Sequence, residues 1–470
     1  MTITTINPAT GRDIARYETQ TEREIDALLA ASSQAFRHWS RTTFAERTAC
    51  LTAMAKCLRE RSGELARLIA TEMGKPLRQG EAEVEKCAWV CEHYAEHGEA
   101  LLAPQTVPSD AERSEVVFRP LGPVLAIMPW NFPLWQFFRF AAPALMAGNV
   151  AILRHASNVA GTALAIEALV RDACVPDDVV RVAWVDKQQV GGIIADQRVA
   201  AVTLTGSVSA GRAVASAAGG AVKKTVHELG GSDPYVVLRD ADLALAVDRC
   251  VESRLTNSGQ SCIAAKRFIV EAPLHDDFVA AFAEAMRGKR AADPFDADAD
   301  LGPLAQAKGR EKVHEQVRRS IAAGAACVLG GELPDAPGFF YPPTVLTGIV
   351  PGMAAFDEEV FGPVAAIVEA ADEEHAIELA NQSAYGLGAA VFTKDVERGY
   401  DIAARRLDAG NCFVNELVRS DPRLPFGGVK ESGYGRELGA FGIREFVNIK
   451  TVWVGMRDRD ARGEKCRSAE

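Results

Sequence analysis

The chain of 470 residues has no basic excess: 52 Lys and Arg stand against 63 Asp and Glu, a formal charge of −11. Nucleic acids and anionic membranes both call for a basic face, so neither is an expected partner. A membrane-spanning run is missing too. The longest charge-poor stretch, 121–153, carries one charge, Arg139, and is broken by Pro123, Pro129, Pro133, Pro143 and Gly148. A spanning helix needs about 20 apolar residues in succession, so this stretch reads as buried core. The ten cysteines form no CxxC pair and no even framework. Residues 1–6 show no basic region followed by an apolar core. Together these predict a cytoplasmic protein with reduced thiols. A GxGxxG dinucleotide fingerprint in a strand–turn–helix setting is also lacking.

What remains is an ordinary globular composition, 48% apolar and 24% charged, which excludes disordered and collagen-like chains. Length predicts two or three domains. Residues 22–100 have helical periodicity. Cys91, His93 and His97 fall there, but without a second ligand cluster they read as a face of an amphipathic helix, and no metal is expected. From Pro123 onward, β-rich runs (124–128, 150–153, 200–205, 235–238, 267–270, 365–368, 390–393, 412–415) alternate with helical ones (161–173, 209–218, 243–255, 275–286). That alternation predicts an α/β fold with largely parallel sheets, in two series that part near residue 230.

Five short segments can carry chemistry. In Pro129-Trp130-Asn131-Phe132-Pro133, two prolines fix Asn131, whose neutral amide suits an oxyanion; it also suits a plain turn. Glu228 precedes Gly230-Gly231 and is either a general base or a surface residue before a loop. Cys262 follows the Gly259 loop and is either a nucleophile or an inert core thiol; a free thiol is only a few per cent ionised at neutral pH. Gly206-Ser207 stands between a strand and a helix, where phosphate oxygens can be received. Glu359, in an acidic pair before an aromatic turn, suits a ribose diol or a helix cap. Arg139 is a separate puzzle. An unpaired buried guanidinium is costly, so it reaches solvent, pairs with a distant carboxylate, or faces a cavity for an anion.

The order of these segments says more than any one of them. Asn7-Pro-Ala-Thr-Gly11, the Asn131 segment, Thr205-Gly-Ser207, Glu228-Leu-Gly-Gly231, Gly259-Gln-Ser-Cys262, 358–364 and 425–437 together resemble the aldehyde dehydrogenase superfamily from about residue 6 to 455. The texture, including 154–158 and 204–211, is similar to the short bacterial succinate-semialdehyde dehydrogenases. The resemblance implies Cys262 as the nucleophile, Asn131 as the oxyanion donor and Glu228 as the base that activates water. It implies NADP or NAD as cofactor, held by Trp130, Arg154, His155, Ser157, Gly206, Ser207, Leu229 and Glu359. Position 157 often carries Glu in strictly NAD-dependent members; Ser157, with Arg154 and His155 nearby, leaves room for a 2′-phosphate. Arg139 becomes the expected partner of a substrate carboxylate, with Arg254 and Ser420 as further substrate contacts.

The implied fold is a Rossmann-like cofactor domain (1–102 and 121–229), a second α/β catalytic domain (230–446) whose end packs back on the first, and a small β bridging element (103–120 and 447–458) that joins subunits into a homodimer or homotetramer. Residues 459–470 are expected to be a disordered tail. The expected reaction is NAD(P)-dependent oxidation of succinate semialdehyde. Another short neutral or amino aldehyde is the alternative substrate, and a non-catalytic nucleotide-binding relative or a thiol hydrolase are rivals of other classes.

Overall fold

The computed structural model describes residues 2–455, so the expected tail and the last residues of the bridging element lie outside the described residues. The α/β fold class is as expected. The chain opens with a hairpin, Thr2–Asn7 against Arg12–Glu18, that the sequence reading did not foresee. Four helices follow: Glu22–Trp39, Phe44–Glu60, Ser62–Met73 and Leu77–Leu101. The first two begin with reciprocal caps, Thr21 with Glu24 and Thr43 with Glu46, which satisfy N–H groups that have no partner within the helix. The third stops at left-handed Gly74.

The first large sheet orders its strands Gly433–Tyr434, Lys224–Glu228, Ala201–Thr205, Pro123–Met128, Val150–His155 and Val180–Val182. All pairings are parallel except that of Gly433–Tyr434. Strand Pro123–Met128 comes first in sequence but lies inside the sheet, so the chain winds away from it in both directions. The crevice beyond its C-terminal end, beside Ala201–Thr205, is the topological switch point, where ligands of such sheets bind. Its residues are apolar because helices cover both faces; Val124, Leu125 and Ala126 are fully buried.

The second sheet runs Ala326–Leu329, Thr344–Thr347, Val364–Ala370, Arg267–Glu271, Pro234–Val237, Gly388–Phe392 and Asn411–Val414, parallel but for the first strand. Again the earliest strand, Pro234–Val237, is interior. Tyr235, Phe268, Phe278 and Phe282 pack one of its faces. After Asn411–Val414 the chain crosses back. It brings Ser420 to Lys86 and both Phe426 and Glu437 to Arg139, and Gly433–Tyr434 pairs with Lys224–Glu228. A separate antiparallel sheet joins Val447–Val454, Arg113–Pro120 and Gln105–Thr106, and carries exposed Ile449, Trp453 and Val107.

Candidate active site

The loop that carries Cys262 leaves helix Leu243–Leu255 through three left-handed residues in a row, Asn257 (φ 54°), Ser258 (φ 56°) and Gly259 (φ 76°). The two that are not glycine cost about 1–2 kcal/mol each in this region, so other contacts must hold them. The Asn257 N–H donates to Gln79 Oε1 (2.9 Å), and its amide donates to the Asn131 and Gln260 carbonyls (2.7 and 3.1 Å). Ser258 Oγ exchanges hydrogen bonds with the Gly302 backbone, and the Ala305 N–H donates to Gln260 Oε1. A Cβ on Gly259 would lie 2.2 Å from the Gly362 oxygen, so only glycine fits. Buried Lys266 donates to the Ser261 and Cys262 carbonyls (2.8 and 2.5 Å) and closes the loop.

These contacts present the Cys262 thiol to an open cavity of about 860 Å³, whose wall also holds Phe132, Trp135, Gln136, Arg139, Lys86, Ser420 and Phe426. Burial pushes the thiol up to about 12, against the pull of Lys266 and Arg139. Asn131 lies alongside the nucleophile loop. Its Nδ2 donates to the Gln260 carbonyl (3.0 Å), and its Oδ1 accepts from Gln136 (3.0 Å), which fixes the amide's orientation. An amide NH2 carries two donors, so the Gln260 bond leaves one for an incoming oxygen. Gln136 and Arg139 share helix Trp135–Ala147, whose first N–H groups, of Leu134 and Trp135, are met by buried Glu83, itself ion-paired with Lys75.

Both arginines expected at the substrate have partners within the protein. Arg139 lines the cavity but is already ion-paired with Glu437 and lies 4.7 Å from the Phe426 ring centre. The distant carboxylate partner is therefore supplied by the protein itself. Arg254 is fully buried, pulled down to about 9 by burial, and donates to the Gly259 carbonyl (2.7 Å). It is not among the cavity-lining residues and steadies the nucleophile loop instead. Ser420 does line the cavity, and its Oγ accepts from Lys86 (2.9 Å). Lys86 was missed in the sequence. It stood in a helix read only for its periodicity, although Glu83 and Lys86 both fall among the buried positions Val84, Cys87 and Val90.

Glu228 ends its strand fully enclosed, with no hydrogen bond to either carboxylate oxygen. A Cβ on Gly427 would lie 2.7 Å from its Oε1, so the carboxyl rests against that glycine, and Glu228 is not among the residues lining the Cys262 cavity. Burial, then the nearby Glu437, holds its carboxyl well above the usual carboxylate range, against the pull of Arg139 and Arg436.

At the switch point, Ser207 caps helix Val208–Gly220, accepting from the Ala210 N–H, directly after strand Ala201–Thr205 and Gly206. Trp130 packs edge-on to Phe361 at 5.8 Å. Glu359 accepts from the Gly231 N–H (3.0 Å), and its Oε2 occupies the place a Gly230 Cβ would take, 2.5 Å away. Leu229 closes on Gly211 in the same way. Arg154 is half-buried with its Nε unpartnered, and Ser157 is exposed. His155 is buried and bonded to backbone on both sides. Its ring bonds to the Pro133 carbonyl (2.9 Å) and accepts from the Ala156 N–H (2.9 Å), and burial pulls it down to about 4. Both nitrogens are committed and the ring stays neutral, so it offers no charge to a phosphate.

Residues 1–452 match the family model described as "Aldehyde dehydrogenase family". The chain belongs to the aldehyde dehydrogenase family. It is 48% identical over 463 residues to the succinate-semialdehyde dehydrogenase [NADP(+)] 1 of Mycobacterium tuberculosis, covering 97% of this chain and 100% of the relative. It is 48% identical over 448 residues to the succinate semialdehyde dehydrogenase [NAD(P)+] Sad of Escherichia coli, covering 95% and 97%. Among solved structures, succinic semialdehyde dehydrogenase from Streptococcus pyogenes in complex with NADP+ superposes with a TM-score of 0.95 at 34% identity, over 97% of this chain and 100% of that one. In this aldehyde dehydrogenase, Cys262 lines the cavity, Asn131 is hydrogen-bonded to the loop that carries it, the cofactor candidates lie about the switch point of the first sheet, and Glu228 makes no side-chain hydrogen bond. Among the described residues, no helix is long and apolar enough to cross a membrane.

Proposed function

We propose that this aldehyde dehydrogenase oxidises succinate semialdehyde to succinate with NADP, and accepts NAD. The observation that carries the reading is a nucleophile and a cationic wall in one cavity, with an oriented amide donor bound to the nucleophile loop; the names of relatives across nearly the full chain support it.

In this reading Cys262 adds to the aldehyde carbon and forms a thiohemiacetal. Asn131 Nδ2 and the Cys262 backbone N–H stabilise the oxygen as it becomes negative. Such donors act where charge develops, and each is worth about 2.7–4 kcal/mol. The bound nicotinamide supplies the hydride acceptor. Cys262 is left as a thioester, and Glu228 takes a proton from the water that hydrolyses it. A carboxyl held above its ordinary range is suited to accept a proton near neutral pH. The role requires that carboxyl to exchange its contact with Gly427 for the cavity.

The residues present fit a nicotinamide dinucleotide. Ser207 and the start of a 13-residue helix can meet the pyrophosphate. Glu359, held on glycine backbone, can accept from the ribose hydroxyls. Trp130 and Leu229 flank the crevice. The unpartnered Arg154 Nε and uncharged Ser157 suit a 2′-phosphate. The sheet of Val447–Val454, with Ile449 and Trp453 exposed, is the surface we assign to pairing of subunits in a dimer or tetramer. We place the enzyme in the cytoplasm, on its acidic composition and free thiols.

Steady-state kinetics on a panel of aldehydes, each with NADP and NAD, test this. Succinate semialdehyde is expected to give the highest kcat/KM. A preference for NAD beyond about a hundredfold, about 2.7 kcal/mol, contradicts the cofactor reading.

A further inference from the structure

Lys266 is a fully buried cation that the reaction described above does not use. Its backbone is set into the second sheet just ahead of strand Arg267–Glu271. The Lys266 N–H donates to the Asp233 carbonyl (3.1 Å), and its own carbonyl accepts from the Ala366 N–H (3.0 Å). From this rigid base the side chain reaches the loop of Cys262. Its Nζ donates to the carbonyls of Ser261 (2.8 Å) and Cys262 (2.5 Å), with Glu359 Oε1 4.0 Å away. Burial pulls the ammonium below its ordinary range, while Glu359 and Asp233 oppose that shift.

Burying an ammonium costs far more than burying a neutral amide or hydroxyl, either of which can donate to a carbonyl. Two of its three donors are spent on the loop, Glu359 is its counter-ion, and Lys266 is not among the residues lining the Cys262 cavity. Its charge therefore acts through the backbone. The Ser261 carbonyl belongs to the same peptide unit as the Cys262 N–H. Among the described residues no peptide bond is cis, so this N–H points away from the carbonyl that Lys266 holds. Among the described residues, no oxygen accepts from it. A cation bonded to an amide oxygen draws electron density from the amide nitrogen and makes its N–H a stronger donor, since linked hydrogen bonds polarise one another. The preceding carbonyl, of Gln260, is held by Asn131 and Asn257 (3.0 and 3.1 Å). Three successive carbonyls, 260–262, are thus tied back, and the Cys262 N–H is left free.

We propose that Lys266 is a positioning residue for the oxyanion: through the Ser261 carbonyl it fixes and polarises the Cys262 N–H, the backbone partner of the Asn131 amide. This assignment rests on the reading of Cys262 given above. No proton moves to or from Lys266. Negative charge develops across the peptide from the ammonium, on the aldehyde oxygen when the sulfur adds and on the thioester oxygen when water adds.

The test compares two reactions of one sulfur in the intact enzyme, in Lys266→Met and in Lys266→Gln. Both reactions need the thiolate. Oxidation of succinate semialdehyde with saturating NADP builds a negative oxygen; alkylation by iodoacetamide, followed as the rate of inactivation, builds none. A whole oxyanion donor is worth about 10²- to 10³-fold in rate, and Lys266→Met weakens one donor without removing it. In that variant kcat and kcat/KM are expected to fall together, by about 10- to 100-fold more than the alkylation rate, with KM nearly unchanged. Lys266→Gln returns a neutral donor without the charge, and its kcat is expected between those of Lys266→Met and the parent.

A merely structural lysine, or one that acts only on the thiol, would slow oxidation and alkylation in step, and that result overturns the assignment. So does a raised KM at the parental kcat, or a Gln variant slower than the Met variant. If Cys262→Ala still forms reduced cofactor at the parent rate, the reading of Cys262 fails and this assignment with it. If Cys262→Ala is inactive and Lys266→Met keeps its ratio of kcat to alkylation rate within about threefold of the parent, the assignment alone fails. Should Lys266→Met not fold, the same criterion is applied to Lys266→Gln.

Discussion

Replacing Asn131 by Ala separates loop support from oxyanion binding. The backbone carbonyl that accepts from Asn257 (2.7 Å) is kept, so the left-handed turn before Cys262 keeps that anchor. Two side-chain hydrogen bonds are lost, to the Gln260 carbonyl and from Gln136, each 3.0 Å. The Gln260 carbonyl keeps its bond from Asn257 (3.1 Å), so the buried group left unpaired is the Gln136 amide, at about 1–3 kcal/mol of stability. The lost oxyanion donor costs about 2.7–4 kcal/mol of activation free energy, so kcat falls about 10²- to 10³-fold with KM changed much less. Asn131→Asp preserves shape but replaces the donor by a second acceptor. It faces both the Gln260 carbonyl and the developing negative oxygen, and is expected to be slower than Asn131→Ala. Formation of reduced dinucleotide under saturating substrate and cofactor measures both variants. A kcat for Asn131→Ala within about tenfold of the parent, or an Asp variant faster than the Ala variant, would refute the assignment of this amide.

Gly230→Ala puts a Cβ 2.5 Å from Glu359 Oε2 and must expel that carboxylate from the Gly231 N–H. Dinucleotide affinity, followed by quenching of tryptophan fluorescence, is expected to weaken about tenfold or more, and an unchanged Kd would contradict the placement of Glu359 on the cofactor. The Cys262 thiol, held at about 12 by burial, is almost wholly protonated at neutral pH. Because only the thiolate reacts, its alkylation by iodoacetamide in the cofactor-free protein should be slow at pH 7 and rise about tenfold per pH unit to pH 10; a plateau below pH 9 would show the thiol to be ordinary.

Strand–helix alternation was legible because both large sheets are covered on two faces, which gives unbroken apolar runs such as 124–128 and 365–368. Strand Lys224–Glu228 was hidden because it begins with an exposed lysine and ends in the candidate base, so it read as a motif rather than a strand. The N-terminal hairpin was hidden for a related reason: Arg12–Glu18 is largely exposed and polar. The family and its chemistry were legible in short ordered segments whose glycines and prolines serve local geometry, as Gly259 does against Gly362. Pairing across long sequence separations was not. Arg139 finds Glu437 and Lys86 finds Ser420 only after the chain returns from the second sheet. Spacing near residue 155 likewise placed a histidine next to the cofactor segment, but gave no sign that Pro133 and Ala156 would occupy its ring.

The central claim is that the sulfur of Cys262 attacks the aldehyde carbon, and replacing it by the methyl group of Ala tests this most directly. With succinate semialdehyde and NADP both saturating, the account predicts that Cys262→Ala retains dinucleotide binding but forms no reduced cofactor above background. Turnover at a rate close to that of the parent would contradict it.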